Sequence, residues 1–427
     1  MFDIIYKKFL TEYVSGWEKT KLNDAPKSLV EKMVRHQNLM TPLLSKGVKL
    51  GSCYIFFLYK IAKLFRYRKS IDCFMPKTNF SLFKKIFRFH DNLLEVTNRK
   101  EKDFVVKKVN YLSKNREILD FAIIGSGPGG SIVADKLIKD KLKVRVFERG
   151  YTTSTLSSYS YNEMLHSYNN GGLTASIGNT NIAFVEGNCV GGGSQINSGL
   201  YHRLPKEIFN LWKDKHRVGS LDYKDLERWF PKIEKDLNVS RYPFGEIPEA
   251  SLKLKEGATN LNWKVEEVPR WVKYSPNQNQ AEKRMTMEVS YLEKFRHKGG
   301  VVQECSKVLS IKNIENVWHL NLKRNGSSEI WKAKNVVLSA GTIGTPTILR
   351  ASKLLKLSQP TFQFHPMIKV VALFDKNLND TNPGVGVHQV REFFPKMSFG
   401  CSISSKPFLK IALRRFPNHL SNFENNF

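Results

Sequence analysis

DFAIIGSGPGGSIVADKLIKDKLKVRVFERG, residues 120–150, places four glycines (Gly125, Gly127, Gly129 and Gly130) within six positions. On one side LDFAIIG reads as a short buried strand ending in glycine. On the other SIVADKLIKDKL has helical spacing, and KVRVFERG follows as a second strand. Strand, tight turn, helix and strand within about 30 residues make a parallel unit with a right-handed crossover.

Gly125, Gly127 and Gly130 form G-x-G-x-x-G directly after the strand, with Pro128 and Gly129 opening the helix. Gly125 supplies the tight turn, Gly127 lets backbone approach a diphosphate, and Gly130 allows close helix–strand packing. The first helical amides then face the phosphates, where the positive end of the helix favours anions. Glu148 closes the second strand, placed to accept hydrogen bonds from a ribose; its charge disfavours a 2′-phosphate and hence NADP. The motif does not by itself separate NAD from FAD.

Two later segments are also poor in side chains. NIAFVEGNCVGGGSQINSGLYHR, residues 181–203, carries Gly191, Gly192 and Gly193 in a row, then Ser194 and Asn197. Three consecutive glycines allow close approach of a planar or anionic group. NVVLSAGTIGTPTILRAS, residues 335–352, reads as a buried strand ending at Ala340 and Gly341 and running through Pro346 into a helix. Small residues at a strand end mark another backbone surface pressed against a ligand.

Taken together, in this order and spacing, the three segments resemble the glucose–methanol–choline (GMC) family of FAD-dependent oxidoreductases over roughly residues 119–415. AGTIGTPTILRAS resembles the family's second signature through Ser352, with Lys353 in place of the usual glycine. FHPMIKVVALF (364–374) and SISSKP (from 402) resemble the branch that includes long-chain alcohol oxidases. The resemblance implies an α/β fold: a doubly wound, Rossmann-like FAD-binding domain of three-layer ββα character, and a substrate domain with a mostly antiparallel sheet. The implied division is 119–205 and 300–355 for the FAD-binding domain, 206–299 and 356–427 for the substrate domain, and 1–118 as a basic, mainly helical leading segment.

The resemblance also implies roles. Gly125, Gly127, Pro128, Gly129 and Gly130 would hold the FAD diphosphate, and Glu148 the adenosine ribose. Gly191, Gly192, Gly193, Ser194 and Asn197 would lie along the diphosphate and flavin ring. Val308 would meet the adenine through its backbone, and Ala340 and Gly341 would sit under the cofactor. The Asn197 position holds no histidine, so a covalent flavin link of that kind is not expected.

The family oxidises an alcohol to a carbonyl, with a base, usually histidine, taking the hydroxyl proton as hydride passes to flavin. That base lies near the family's C-terminus. Here the residues after the second signature end at PNHLSNFENNF without a matching histidine motif, which implies a chain lacking the C-terminal catalytic portion. His365 and His388 lie in the expected substrate sheet, where a histidine is more often structural. His202 follows the flavin loop, and His419 lies close to Asn425. No catalytic residue is assigned.

Elsewhere, residues 151–180 read as a long loop, and SLDYKDLERWFPKIEKDLNV as a helix capped by Ser220 and interrupted by proline. TMEVSYLEKFRHKGG reads as a helix ending at Gly299 and Gly300; three strand-like runs follow, and IKVVALF (368–374) is the last clear strand. The 427 residues suffice for two or three domains. Five scattered cysteines without metal spacing argue against a disulfide framework and a zinc site, and make the reducing cytoplasm the default setting. No metal is implied.

The net charge of +29, densest before residue 120, creates a field that attracts anionic partners. No nucleic-acid-reading module is visible, so no specific nucleic acid is expected. No secretory signal is evident at MFDIIYKKFL. CYIFFLYKIAKLFRYRKS, residues 53–70, is too short an apolar run to span a bilayer and fits either an interfacial helix at a membrane surface or a helix docked on the protein's own core. Two other readings stand beside a flavoenzyme acting on a small alcohol. One is an NAD-dependent dehydrogenase, which needs regular strand–helix alternation after Glu148. The other takes the basic leading segment as a membrane-surface or nucleic-acid-binding module on a vestigial nucleotide fold.

Overall fold

The computed structural model describes Leu10 and residues 117–401, except 139–141, 154–165, 173, 176–181, 217–220, 244–246, 275–282, 326, 356–364, 366, 369, 371, 373, 375–377 and 379–384. The leading segment, including 53–70, and the tail with SISSKP and His419 thus lie outside the described residues. The chain divides into two units. One comprises 1–105, 157–186 and 404–427; its described residues include a 3₁₀ turn at Asn169–Gly172 and an antiparallel pair, β3 (Thr174–Ala175) with β4 (Ala183–Phe184).

The other unit, 106–156 with 187–403, contains the main sheet. Strand β1 (Leu119–Ile124) leads into helix α1 (Pro128–Leu137), and β2 (Val144–Phe147) returns parallel to β1. Far along the chain, β9 (Val301–Gln303) adds to β2 in parallel. β10 (Ser306–Ile314), β11 (Val317–Arg324) and β12 (Ser327–Leu338) form an antiparallel meander. The second half of β12 then pairs in parallel with β1, from Leu119↔Ala333 to Ile124↔Leu338. The six strands run β10-β11-β12-β1-β2-β9.

Side chains alternate across this sheet with the period of two that a pleated strand imposes. Ile123, Val144 and Val146 pack with Ala134, Leu292 and Phe295 on the helical face. Ala122, Ile124 and Phe147 pack with Val308, Ile311, Leu320, Leu322 and Trp331 on the meander face. This unit is therefore layered helix, parallel sheet, antiparallel meander, as expected for the ββα arrangement. Removing Phe295, which is fully buried, would forfeit about 3–5 kcal/mol.

Where an antiparallel substrate sheet is expected, two three-stranded antiparallel sheets are found. One joins β5 (Val239–Ser240), β7 (Arg270–Lys273) and β8 (Lys283–Arg284); the other joins β6 (Val265–Glu267), β13 (His388–Val390) and β14 (Phe399–Gly400). Two local readings need correction. The helix read from 220 is two helices, Tyr223–Glu227 and Phe230–Asp236; Asp222 caps the first by accepting the N–H of Lys224 at 3.1 Å, and Pro231 opens the second. Nor is 368–374 a strand at its described residues: Ile368, Val370, Ala372 and Phe374 are exposed and lie outside every strand. An alternating apolar run specifies a strand only when a neighbour completes its ladder. Among the described residues no helix is long and apolar enough to cross a membrane.

Candidate functional site: a backbone cradle

The three glycine-bearing turns meet at the C-terminal ends of β1, β2 and β12. Gly125, at φ +99°, adopts a conformation side chains rarely take, and its N–H donates to the carbonyl of Phe147 at 2.9 Å. A Cβ there would strike the carbonyl of Ser339, and one on Gly130 would strike the carbonyl of Gly125. Ser339 closes this contact, its N–H and Oγ each donating to the carbonyl of Ile124 at 2.9 Å. A Cβ on Gly192 would lie 2.9 Å from Cα of Gly127. The segments at 125–130, 191–193 and 339–341 are thus in direct backbone contact.

One side of this junction is open. Cβ atoms built on Gly127, Gly193 or Gly341 would meet no heavy atom within 4 Å. Pro128, Gly129, Gly193 and Gly341 are exposed, and α1 starts at Gly127 with no side-chain cap. Uncapped amides at the positive end of a helix, beside glycines that leave the approach clear, are chemically suited to a diphosphate. The Gln195 amide, buried behind the triple glycine with neither Oε1 nor Nε2 hydrogen-bonded, adds uncommitted polar groups beside the cradle.

Ser126 is the tie that sequence reasoning missed. Its N–H and Oγ donate to Glu148 Oε2 at 3.0 and 2.7 Å, and its Oγ accepts the N–H of Gly191 at 3.0 Å. The buried Glu148 also accepts the N–H of Gly150 through Oε1 at 2.9 Å. Its first task is to fasten the turn; with three hydrogen bonds accepted, Oε1 retains capacity for one more. A small polar residue between the first two glycines was the available signal for Ser126.

The other expected residues fall as follows. Ser194 Oγ donates to the carbonyl of Gly191 at 2.7 Å and accepts the N–H of Met287 at 3.0 Å, pinning the triple-glycine turn. Asn197 is exposed; its Oδ1 accepts the N–H of Gly199 at 2.9 Å and its carbonyl accepts from Arg284. The buried Arg270 donates to the next carbonyl, Ser198, at 3.0 Å, so two cations from neighbouring strands hold this loop. Val308 lies in the meander core at a bulge of β10, leaving only its backbone for a ligand. Ala340 precedes helix Gly341–Ala351 and donates its N–H to Thr345 Oγ1 at 3.1 Å; Gly341 has φ +79°.

A buried polar network that the sequence did not announce flanks the cradle. Thr152 donates through its N–H (2.9 Å) and Oγ1 (2.7 Å) to Glu304, and Glu288 forms an ion pair with Arg296 at 2.9 Å. Burial holds the Glu304 carboxyl above the usual carboxylate range, against the Thr152 hydrogen bonds that lower it. Of the histidines, His365 and His202 are exposed. His388 is buried, with Nδ1 3.1 Å from both Oγ and the carbonyl oxygen of Ser251. Ser251 Oγ in turn accepts the N–H groups of Val387 and His388, each at 3.0 Å, so His388 is a satisfied structural histidine. Among the described residues no cluster of His, Cys, Asp or Glu is arranged to hold a metal.

Residues 164–373 match the family model for GMC oxidoreductases. An uncharacterized GMC-type oxidoreductase of Sinorhizobium fredii is 30% identical over 308 residues, covering 69% of this chain and 61% of its own length. A long-chain-alcohol oxidase of Arabidopsis thaliana is 29% identical over 153 residues, 35% of this chain and 20% of that protein. The crystal structure of a pyridoxine 4-oxidase superposes with a TM-score of 0.43 at 16% identity, covering 55% of this chain and 52% of its own. Across these matches the chain is similar to the GMC oxidoreductases, a family of FAD flavoproteins. It spans less than two thirds of the length of these relatives.

Proposed function

We propose that the cradle binds FAD and that the chain serves the oxidation of a CH–OH donor to the corresponding carbonyl. The observation that carries this reading is the backbone contact of three separate glycine turns around one open approach. The amides at 127–130 would take the diphosphate, and the remaining acceptor capacity of Glu148 a ribose hydroxyl. The turn at Gly191–Gly193, with Ser194 and Asn197, would lie along the diphosphate and flavin ring. Val308 would offer its backbone to the adenine, and Ala340 and Gly341 would sit beneath the cofactor. When bound, FAD supplies an acceptor for hydride. The chain's own residues would hold it, with Arg270 and Arg284 fixing the loop at Asn197 and Ser198 against which its ring would lie.

An alcohol donor is supported by the long-chain-alcohol oxidase among the relatives. We assign no catalytic base. The implied division into an FAD-binding part (119–205, 300–355) and a substrate part (206–299, 356–427) belongs to this reading, as does a cytoplasmic setting.

The NAD-dependent alternative is disfavoured by topology. A doubly wound dehydrogenase alternates strand and helix after its second strand, whereas the parallel neighbour of β2 is β9, at Val301. Titration of the purified chain with FAD tests the proposal. Uptake with a bound-flavin absorption spectrum is expected; quenching of protein fluorescence by NADH without flavin uptake would refute it.

A further inference from the structure

The meander that closes the core on one side presents a second surface on the other. Its inward positions are Val308, Ile311, Leu320, Leu322, Trp331 and Ala333, all buried. Its outward positions follow from the register. Lys307 lies directly opposite Lys323, and His319 lies opposite Lys312 on one neighbour and Lys332 on the other. Four lysines and a histidine therefore form two cross-strand rows. The rows are about 13 Å apart along β11, at ~3.3 Å per residue.

Like charges placed directly opposite one another destabilise a sheet, so these rows are not explained by the fold. Nor are they neutralised: among the described residues Lys307, Lys312, Lys323 and Lys332 are exposed and form no ion pair, unlike Lys334, which pairs with Asp120 at 2.8 Å. Glu315 lies at the margin, in the turn between β10 and β11. Between the rows lie Ile330 and the pair Ser310 and Asn321, whose Nδ2 donates to Ser310 Oγ at 3.1 Å, while Ile314 flanks the second row on its far side. Ile330 is 47% exposed and Ile314 39%, and the β-bulge between Val308 and Ser310 leaves Leu309 37% exposed beside them.

We propose that this outer face of β10, β11 and β12 docks on an anionic membrane surface. Lysines bordering aliphatic side chains match a lipid interface, where the ammonium groups reach headgroups while the aliphatic groups sit at the acyl boundary. A single-stranded nucleic acid would instead be met by Phe, Tyr or Trp platforms, and the outward positions carry none of these. The net charge of +29 draws the whole chain toward such a surface, and this face fixes its orientation there. The proposal is separate from the cofactor reading, because no residue of the cradle lies on the outward face.

The test uses the full chain and vesicles of phosphatidylcholine, with and without about 30 mol % phosphatidylserine, at low and physiological salt. The chain is expected to co-sediment with the anionic vesicles alone. At roughly five-fold per lysine, the variant K307Q/K312Q/K323Q/K332Q is expected to lose on the order of 100-fold or more in partitioning. The milder K312Q/K332Q pair is expected to lose about 25-fold on the same scale. Both are expected to unfold no earlier than the parent, since they relieve repulsion between strands. Ile330→Ser is expected to weaken the binding that survives at physiological salt. The proposal is overturned if the parent ignores anionic vesicles or if the four-lysine variant binds as tightly as the parent. It is equally overturned if loss of binding follows only from neutralising Lys60, Lys63, Arg66 and Arg68, or if the sheet lysines serve duplex DNA more tightly than vesicles.

Discussion

The hydroxyl of Ser126 donates to the Glu148 carboxylate at 2.7 Å while accepting the N–H of Gly191 at 3.0 Å. One side chain thus ties the end of β2 to a turn 65 residues beyond Ser126 itself, and both bonds are buried. The first prediction concerns this tie. Ser126→Ala leaves the Gly191 N–H and one Glu148 lone pair unsatisfied, which costs about 1–3 kcal/mol. Denaturant unfolding should show that loss, and FAD affinity should fall with it; Ser126→Thr should recover part of both. Unchanged stability in the alanine variant would show that the tie is dispensable.

Glycines in the same motif should fail in two different ways. Gly130→Ala drives a Cβ into the carbonyl of Gly125 and toward Ser339 Oγ, so a loss of about 1–3 kcal/mol is expected whether or not a cofactor is present. Gly127→Ala meets no neighbour and has φ −66°, so apo stability should hold. Its methyl group instead occupies the approach assigned to the diphosphate, and a loss of at least ten-fold in FAD affinity, about 1.4 kcal/mol, is expected. Thermal unfolding and flavin titration of the two variants separate the cases.

His388 should make stability depend on pH. Burial holds its imidazole below the ordinary value of 6.5, outweighing the hydrogen bond to the Ser251 carbonyl. A depressed folded-state value means that the native state resists protonation. The contribution is therefore fully present above pH 6.5 and lost as pH falls through the folded value. Urea midpoints measured from pH 8 to 5 should decline, and His388→Gln should flatten that part of the curve.

Glu304 has the opposite sign. Burial raises its carboxyl above the ordinary 4.5, so the native state favours the protonated form. Its contribution is greatest below pH 4.5 and is lost as pH rises through the folded value. Glu304→Gln keeps an acceptor for Thr152 and removes a charge close to Glu288. It is expected to raise the unfolding midpoint at pH 7 relative to the parent, with the gain vanishing toward pH 4.

What could be read from the residues was local. β1, α1 and β2 are each specified within a few positions by apolar periodicity and by Gly125, and the same holds for the turns at 191–193 and 340–341. What escaped depends on partners distant in sequence. The expected strand at 368–374 has the apolar composition but no described neighbour to pair with. Thr152 and Glu304 meet across 152 positions, and nothing around either residue signals the other. Glu148 was legible as an acidic residue at a strand end, yet its fastening of Ser126 required the folded turn. The cap at Asp222 was missed in favour of Ser220, two positions earlier, because both residue types cap equally well.

The position of β1 between β2 and β12 also constrains how the molecule is made. During synthesis β1 and β2 emerge together, but the strand that seals the other edge of β1 follows only after about 200 further residues at ~5–20 residues per second. Until Leu338 has cleared the ribosome, the edge of β1 offers unpaired amides and carbonyls, and Gly125 and Gly130 lack the Ser339 wall they are shaped against. The cleft between these turns is therefore completed late, when β12 seals the second edge of β1.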